Sequence, residues 1–497
     1  MKFTESKIHR AISAITLMMF ISGCAGYRSV EDTEQYRDSI TLPAEYSTAG
    51  VSQKISINSA DGSGSTELAS TSLMSTANVA PVKQWWQELK DPQLTQLIEQ
   101  ALTQNYSLAM AKASLEESRA LLSHQKLERF PQVQASATGV REKSSEDVRL
   151  PGAEVITETY SAGFDASWEL DLFGSVHNKV KAAKATLAES EAGVQAMRIS
   201  VAAETAAAYI DLRGAQHQLD VAQDNAQNLR RTLQLTQRLK EIGRADQLDV
   251  SRAQAQLSLT EATIPGYSAN ITIALNRLSV LTGEHNEQLR QALAESQALP
   301  DVPPLLQIGK PAELIRRRPD IQQAEQSLAA AIARYNVRVA DLYPSITFNG
   351  GLGYLATDLD RLGESSTEMF SFGPSIRWAA FDLGRVHAQI RAADARTQAQ
   401  VANFKQQVLR ALEDTDNALQ TFSHEEERRA KLIEAFNASQ QSASIAQKKY
   451  EIGAENFLSV LIAEREKLNV SAQLAASDAK VLQDLIVVYK NLSGGWI

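Results

Sequence analysis

One cysteine, Cys24, is all that the chain of 497 residues contains. That excludes an intramolecular disulfide and any zinc site built on a thiolate cluster. The seven histidines are scattered and form no H-E-x-x-H pair. There is no surplus of positive charge either: 50 Lys and Arg against 59 Asp and Glu leave a net charge of -9. A nucleic-acid partner needs a basic face, so none is expected. The sequence has no G-x-S-x-G, no G-x-x-x-x-G-K-[ST] and no G-x-G-x-x-G. These absences point away from an enzyme, and nothing calls for a cofactor or metal. Aromatic residues are only 6% of the chain. No apolar run is long enough to be a membrane-spanning helix, which needs about 20 residues.

The longest apolar stretch, from Ala11 to Ile21, follows Lys2, Lys7 and Arg10. This order of charge and apolar residues is that of a secretory signal. It ends in Ile21-Ser22-Gly23-Cys24, which resembles the bacterial lipobox, where cleavage before the cysteine is followed by its acylation. An ordinary signal peptide with an incidental cysteine is the plainer alternative. Under the lipobox reading residues 1–23 are removed, Cys24 carries covalent lipid as the only attached group, and Ala25 in place of Asp implies sorting to the outer membrane. Residues 24–80, rich in Ser, Thr, Gly and Asp, read as an extended tether.

The remainder is a tandem duplication with a spacing of about 210 residues, and such repeats are the first thing to seek in a long chain. Gly174–Leu281 reads against Gly384–Leu492: Val180-Lys181-Ala182-Ala183 matches Ile390-Arg391-Ala392-Ala393, and Glu241-Ile242-Gly243 matches Glu451-Ile452-Gly453. Leu281-Thr282-Gly283 matches Leu492-Ser493-Gly494 after a slip of one residue. Upstream, Phe130-Pro131 pairs with Tyr343-Pro344 and Trp168 with Trp378. The two repeats span residues 81–300 and 301–497.

Proline and glycine are scarce just where a long helix needs them to be. No Pro occurs from Gly152 to Ile264 or after Ser375, and between Arg385 and Ser493 the only Gly is Gly453. The pattern predicts two very long helices, each folded back once. The turns are Gly243-Arg244-Ala245-Asp246 and Gly453-Ala454-Glu455-Asn456, a terminating Gly followed by a capping Asp or Asn. A helix over about Ser175–Ile242 would extend roughly 100 Å. Its counterpart carries a coiled-coil-like seam of Phe404, Val408, Ala411, Thr415, Leu419 and Phe422. Shorter helices are predicted at Leu94–Leu127 and Pro311–Leu342. The returning helices, about 35 residues each, stacked end to end on these recover the length of the long ones.

Between each short and long helix lies a candidate strand pair, near Val133–Thr138 with Tyr160–Trp168, and Ile346–Leu355 with Met369–Phe381. Alternating apolar and polar residues, long charged connections (Glu142–Glu158 and Ala356–Glu368) and aromatics near both ends suit an outer-membrane β-barrel. A small soluble pair of hairpins is the alternative that alternation alone leaves open. Two pairs give four strands, and an exposed edge cannot lie in lipid, so closure needs several chains. Three would supply twelve strands, above the known minimum of about eight.

Together with the lipobox, the segments Trp86-Gln87-Glu88-Leu89-Lys90-Asp91-Pro92-Gln93-Leu94, Trp168-Glu169-Leu170-Asp171-Leu172-Phe173-Gly174 and Tyr450-Glu451-Ile452-Gly453…Val460-Leu461-Ile462-Ala463 resemble the TolC-like outer-membrane efflux proteins. The NodT-like lipoprotein branch, which serves resistance-nodulation-division pumps, fits best, and the resemblance runs from about Pro81 to Trp496. It implies an α+β membrane protein: a homotrimer with a twelve-stranded barrel, four strands per chain, continued by a long helical periplasmic tunnel. It also implies a periplasmic adaptor protein and an inner-membrane pump as partners, with outer-membrane lipid around the barrel. The implied function is passive conduction of drugs or other small toxic solutes from periplasm to exterior.

Carried over by position, the resemblance puts the turns at the periplasmic entrance, with Gly243, Arg244, Ala245, Gly453, Ala454 and Asn456 as adaptor-contact tips. Leu458, Ile462 and Arg465 line the closed constriction, and Tyr450 and Glu455 tether neighbouring helices. Relatives often hold Asp where this chain has Ile462, so an acidic ring is not expected there. A threefold Ile ring would close by sterics and dewetting. Asp246 and Asp249 are candidate nearby acids, with helix capping as the simpler role. Glu413-Asp414-Thr415-Asp416 reads as a solvated helix face, Arg316-Arg317-Arg318 as a helix start with exposed charges, and Asn349-Gly350-Gly351-Leu352-Gly353 as a bend within a strand. Two other functions remain open: a duct for ATP-driven protein or peptide export, and a trimeric coiled-coil structural lipoprotein. The strand pairs and the duplication speak against the latter.

Overall fold

Helix-forming sequence without internal Pro yields two continuous helices of exceptional length in the computed structural model, α3 (Ser175–Glu241) and α8 (Leu383–Glu451). The structure describes residues 27–29, 73–75, 84–145, 147, 152, 154–303, 305–307 and 316–492. Cys24, nearly all of the tether and the Ser493-Gly494 landmark lie outside the described residues. The other helices are α1 (Pro92–Gln104), α2 (Tyr106–Leu127), α4 (Gln247–Glu261), α5 (Ile264–Thr282), α6 (Asn286–Ala292), α7 (Pro319–Ala340) and α9 (Phe457–Leu492). The seam on α8 is buried along its whole run from Phe404 to Phe422.

Two expected helices are interrupted, each for a local reason. The segment foreseen as one helix over Leu94–Leu127 breaks at Asn105, whose side chain accepts from Leu108 N at 3.1 Å and restarts the helix as α2. The first returning helix breaks at Ala262–Thr263, ahead of Pro265, which has no N–H to donate. Its counterpart α9, lacking Pro, runs unbroken for 36 residues.

The chain forms two compact units, each drawing on both repeats. The first (residues 1–40, 114–191 and 323–405) contains an antiparallel sheet in the order β2-β3-β5-β6: Gln132–Lys143, Ile156–Leu170, Ser345–Ala356 and Glu368–Arg377. The expected strand pairs are therefore present, and β3–β5 pairing joins one repeat's pair to the other's. Trp168 Nε1 donates to the Arg129 carbonyl and Trp378 Nε1 to the Leu342 carbonyl, both at 3.0 Å. Each accepting carbonyl immediately precedes the Phe-Pro or Tyr-Pro landmark, so the matched residues are partners in space. Residues 27–29 dock on the same unit: Asn336, buried, exchanges two hydrogen bonds with the Arg28 backbone, and the Arg28 guanidinium reaches Asp394 at 2.6 Å and lies over the Tyr335 ring.

The second unit (residues 41–113, 192–322 and 406–497) holds the principal apolar core. Trp85 and Trp86, in a short 3₁₀ turn (Trp85–Leu89), pack with Leu94, Ile98, Tyr209, Leu278, Phe422, Leu485 and Tyr489. A two-stranded parallel pair, β1 (Leu73–Ser75) with β4 (Leu305–Gln307), also belongs here. The end of each returning helix is met by a donor at the start of a short helix. Asn105 Nδ2 donates to Leu281 O at 2.9 Å and the Arg318 guanidinium to Asn491 O at 3.4 Å. The expected end-to-end abutment is thus seen within this unit for the start of α7 on α9 and the start of α2 on α5, whereas α1 packs alongside α5 instead of extending it. Arg318 is not an exposed charge as its Arg-rich run suggested: it is nearly buried and forked onto Asp320 at 2.7 and 3.0 Å. Burial raises the Asp320 pKa, but Arg318, Gln407 and the Ile321 N–H outweigh it, leaving the carboxyl below its ordinary value. Among the described residues no helix is long and apolar enough to cross a membrane.

Candidate functional site

Both hairpin tips, which lie in the second unit, are built alike. A helix end leaves carbonyls unpaired, and a left-handed residue just beyond it lets the chain fold back onto them. Gly243 and Gly453 both take φ 75°. Gly243 N donates to Lys240 O and Arg244 N to Leu239 O at 2.9 and 2.7 Å. In the second tip Gly453 N donates to Tyr450 O and Ala454 N to Lys449 O at 2.9 and 2.8 Å. The returning helices are capped as expected. Asp246 accepts from Asp249 N at 2.8 Å while Asp249 Oδ2 accepts from Asp246 N at 3.5 Å, a reciprocal capping box. Asn456 Oδ1 accepts from Ser459 N at 3.0 Å. The two tips touch each other: a Cβ on Gly453 would sit 2.6 Å from an Arg244 guanidinium nitrogen. No sequence pattern pointed to that contact.

Leu458, Ile462 and Arg465 are spaced i, i+4, i+7 on α9 and share one face. All three are exposed, Ile462 at 47%, while Phe457, Val460, Ala463 and Leu468 turn inward. Ile462 and Arg465 border a groove of about 680 Å³ whose opposite walls include Leu259, Thr263 and Tyr267. Tyr450 and Glu455 are placed differently. Tyr450 is 9% exposed and packs on Phe457, ring centroids 5.5 Å apart, and its buried hydroxyl has no hydrogen-bond partner among the described residues. Burial, and then the Asp249 charge, push its pKa up. Glu455 accepts from Ser459 Oγ at 2.9 Å and Asn456 N at 3.2 Å, and these bonds hold its carboxyl below the usual range. Asp246 and Asp249 act as caps within the chain, the simpler of the two roles foreseen. Among the described residues no group of acidic, His or Cys side chains is placed to hold a metal, and Glu413 and Asp414 are exposed.

The sheet is the second functional surface. The register places Ala135, Phe164, Leu352 and Phe370 on one rung, and Val133, Ala166, Gly350 and Phe372 on the next rung of the same face. Tyr160 and Tyr354 stand near one end of this apolar face, Trp168 and Phe348 near the other. From Leu170 to Tyr160 is about 33 Å of strand, or roughly 25 Å when tilted by about 40°. That matches the apolar band of an outer-membrane barrel, about 25 Å tall. The opposite face carries Gln134, Asp165 and Ser371 on one rung, and Gln132, Ser167 and Asn349 on another. This polar face is concave, enclosing about 420 Å³. Gly163 and Gly353 face each other across β3 and β5. They allow close approach: a Cβ on Gly353 would lie 2.5 Å from the Ala162 carbonyl oxygen and 2.7 Å from Gly163 Cα. An apolar convex face with aromatic ends, a polar hollow and long helical hairpins together define an outer-membrane channel subunit.

The chain belongs to the outer membrane efflux protein family, whose pattern it matches over residues 97–284 and 311–494. It is similar to the probable efflux pump outer membrane protein TtgC of Pseudomonas putida, 29% identical over 425 residues that span 85% of this chain and 87% of that one. Nodulation protein T of Rhizobium leguminosarum bv. trifolii is 28% identical over 391 residues, 79% of this chain and 83% of that one. Among solved structures, the outer-membrane channel OprN is 36% identical with a TM-score of 0.79, covering 85% of this chain and 98% of its own. Outer membrane protein VceC of Vibrio cholerae is 25% identical with a TM-score of 0.77, covering 84% and 100%. The protein is an outer-membrane efflux channel component that extends into the periplasm.

Proposed function

We propose that three copies of the chain close a twelve-stranded barrel and form a passive duct, through which an energised inner-membrane pump, joined by a periplasmic adaptor, expels small toxic solutes. The observation that carries this reading is the sheet itself. Its outer strands β2 and β6 are 12 and 10 residues long and, among the described residues, have no partner on their free edges, while one face is apolar. Open edges cannot lie in hydrocarbon, so each β6 must meet a β2 from a neighbouring copy. The strand directions alternate along β2-β3-β5-β6, so that junction is antiparallel like the others. The helix tips then lie together at the periplasmic end, with Gly243–Ala245 and Gly453, Ala454 and Asn456 available to the adaptor. Leu458, Ile462 and Arg465 form the constriction, and the acyl chains on Cys24 add a membrane anchor.

The test is single-channel conductance of the purified protein in a planar bilayer, with its mass in detergent. A trimer with small conductance that rises in Leu458→Ala or Ile462→Ala supports a gated duct. A silent protein whose mass is not that of a trimer supports the structural lipoprotein instead.

A further inference from the structure

We infer that the charge preference of this channel is set inside the barrel by Asp165, and not at the helix tips. The inference rests on the trimeric-barrel reading above. At the tips the ring position held by Ile462 is apolar, Asp246 and Asp249 cap one helix start, Glu455 is bonded to Ser459 and Asn456, and the exposed Glu466 lines the same groove as the cationic Arg465. The charge of Asp246, Asp249 and Glu455 also sits on helix N-termini, whose dipoles offset it, and Arg465 shares the exposed face with Ile462.

The barrel differs. Asp165 is exposed on the concave polar face, level with Gln134, Gly351 and Ser371. Across the strands Ser136 Oγ lies 3.4 Å from it, and no ion pair involving it occurs among the described residues. Beside it, Gly351 has no side chain to cover the carboxylate, one oxygen of which lies 3.0 Å from where a Cβ would stand. Arg377, the basic residue of β6 on this face, is six residues from the Asp165 rung, about 20 Å along the strand. That exceeds two screening lengths at physiological salt, about 8 Å each. Glu169, two rungs along β3 on the same face, adds to the negative field and does not oppose it. Threefold repetition makes Asp165 a ring of three uncompensated carboxylates in a hollow walled by low-dielectric lipid, where field lines are focused. Cationic solutes are favoured in that section of the duct and anionic ones held back.

The test is the reversal potential of the full-length protein across a bilayer bearing a tenfold KCl gradient. Wild-type channels are expected to prefer K⁺. Asp165→Asn should lower the cation-to-anion permeability ratio by about twofold or more, with Asp165→Glu retaining it. Asp165→Cys, treated with an anionic methanethiosulfonate, should regain the preference lost in the untreated variant. That arm decides the matter should the Asn variant fail to insert. A conducting Asp165→Asn or untreated Asp165→Cys channel with an unchanged ratio overturns the assignment and leaves the duct intact. A wild-type protein that never conducts overturns the duct reading itself.

Discussion

Gly353→Ala tests whether β3 and β5 approach each other as closely as the structure shows. The added methyl would lie 2.5 Å from the Ala162 carbonyl oxygen and 2.7 Å from Gly163 Cα, both backbone atoms that cannot rotate away. The β3 and β5 strands must therefore part by several tenths of an ångström where Gly163 faces Gly353. Stretching two ladder bonds at about 1 kcal/mol net each gives about 2 kcal/mol per chain, within the usual 1–3 kcal/mol for overpacking. That corresponds to roughly a thirtyfold fall in the folding equilibrium. Gly373→Ala is the matched control. It lies on the same face of the same sheet, has no atom within 4 Å of its would-be Cβ, and, like Gly353, has no left-handed φ. Its loss of unfolded-state freedom should leave stability unchanged or raise it by up to about 1 kcal/mol. Heat-modified migration on detergent gels, followed against guanidinium concentration, reads both variants. Coincident transitions would show that the strands yield freely, and the close-approach argument would be refuted.

Gly214→Ala should cost about 1–3 kcal/mol, because its Cβ would meet Ala479 Cβ at 2.6 Å between α3 and α9. Adding Ala479→Gly should restore most of the loss, as a double-mutant cycle in thermal unfolding would read. Asp320→Asn leaves Arg318 short of its charged partner and should cost about 2 kcal/mol at neutral pH. Because the folded pKa is depressed, this contribution is present above the unfolded value of 3.8 and disappears as pH falls through the folded one. Wild-type and variant melting curves should therefore converge as pH falls through the depressed folded value, and a gap that stays constant under progressive acidification would refute the assignment.

What could be read beforehand was whatever depends on chain geometry. Pro-free and Gly-poor stretches gave α3 and α8, and alternation gave the four strands of the main sheet. Gly243 and Gly453 marked the turns, because a left-handed position beyond a helix end selects glycine. Leu458, Ile462 and Arg465 were named only through the family resemblance, carried over by position, and spacing alone would not have singled them out. Contacts between distant segments were not visible. Nothing in the sequence distinguishes Arg318 from its neighbours Arg316 and Arg317, because only the folded chain brings the carbonyls of Ala411 and Asn491 and the amide of Gln407 around the Arg318–Asp320 pair. Arg244 across Gly453 and the glycine pair of β3 and β5 have the same origin: both depend on which backbones meet.

The duplication shows why landmarks outlast contacts in a sequence. Gly, Pro and Trp recur in both repeats because each meets a demand few other residues can meet: a left-handed turn, a strand entry, an indole N–H reaching one carbonyl. The returning helices α5 and α9 impose a demand of another kind. Each ends with carbonyls that have lost their intrahelical donors, and any suitably placed N–H relieves that deficit. In the first repeat the donor is the Asn105 amide to Leu281, and in the second the Arg318 guanidinium to Asn491. The bond stays at the same helix end, one residue earlier by the repeat alignment, while its chemistry has changed, so the two donors share a role without sharing a residue type. Comparison of the repeats by residue identity passes over them, and comparison by unpaired backbone groups finds them.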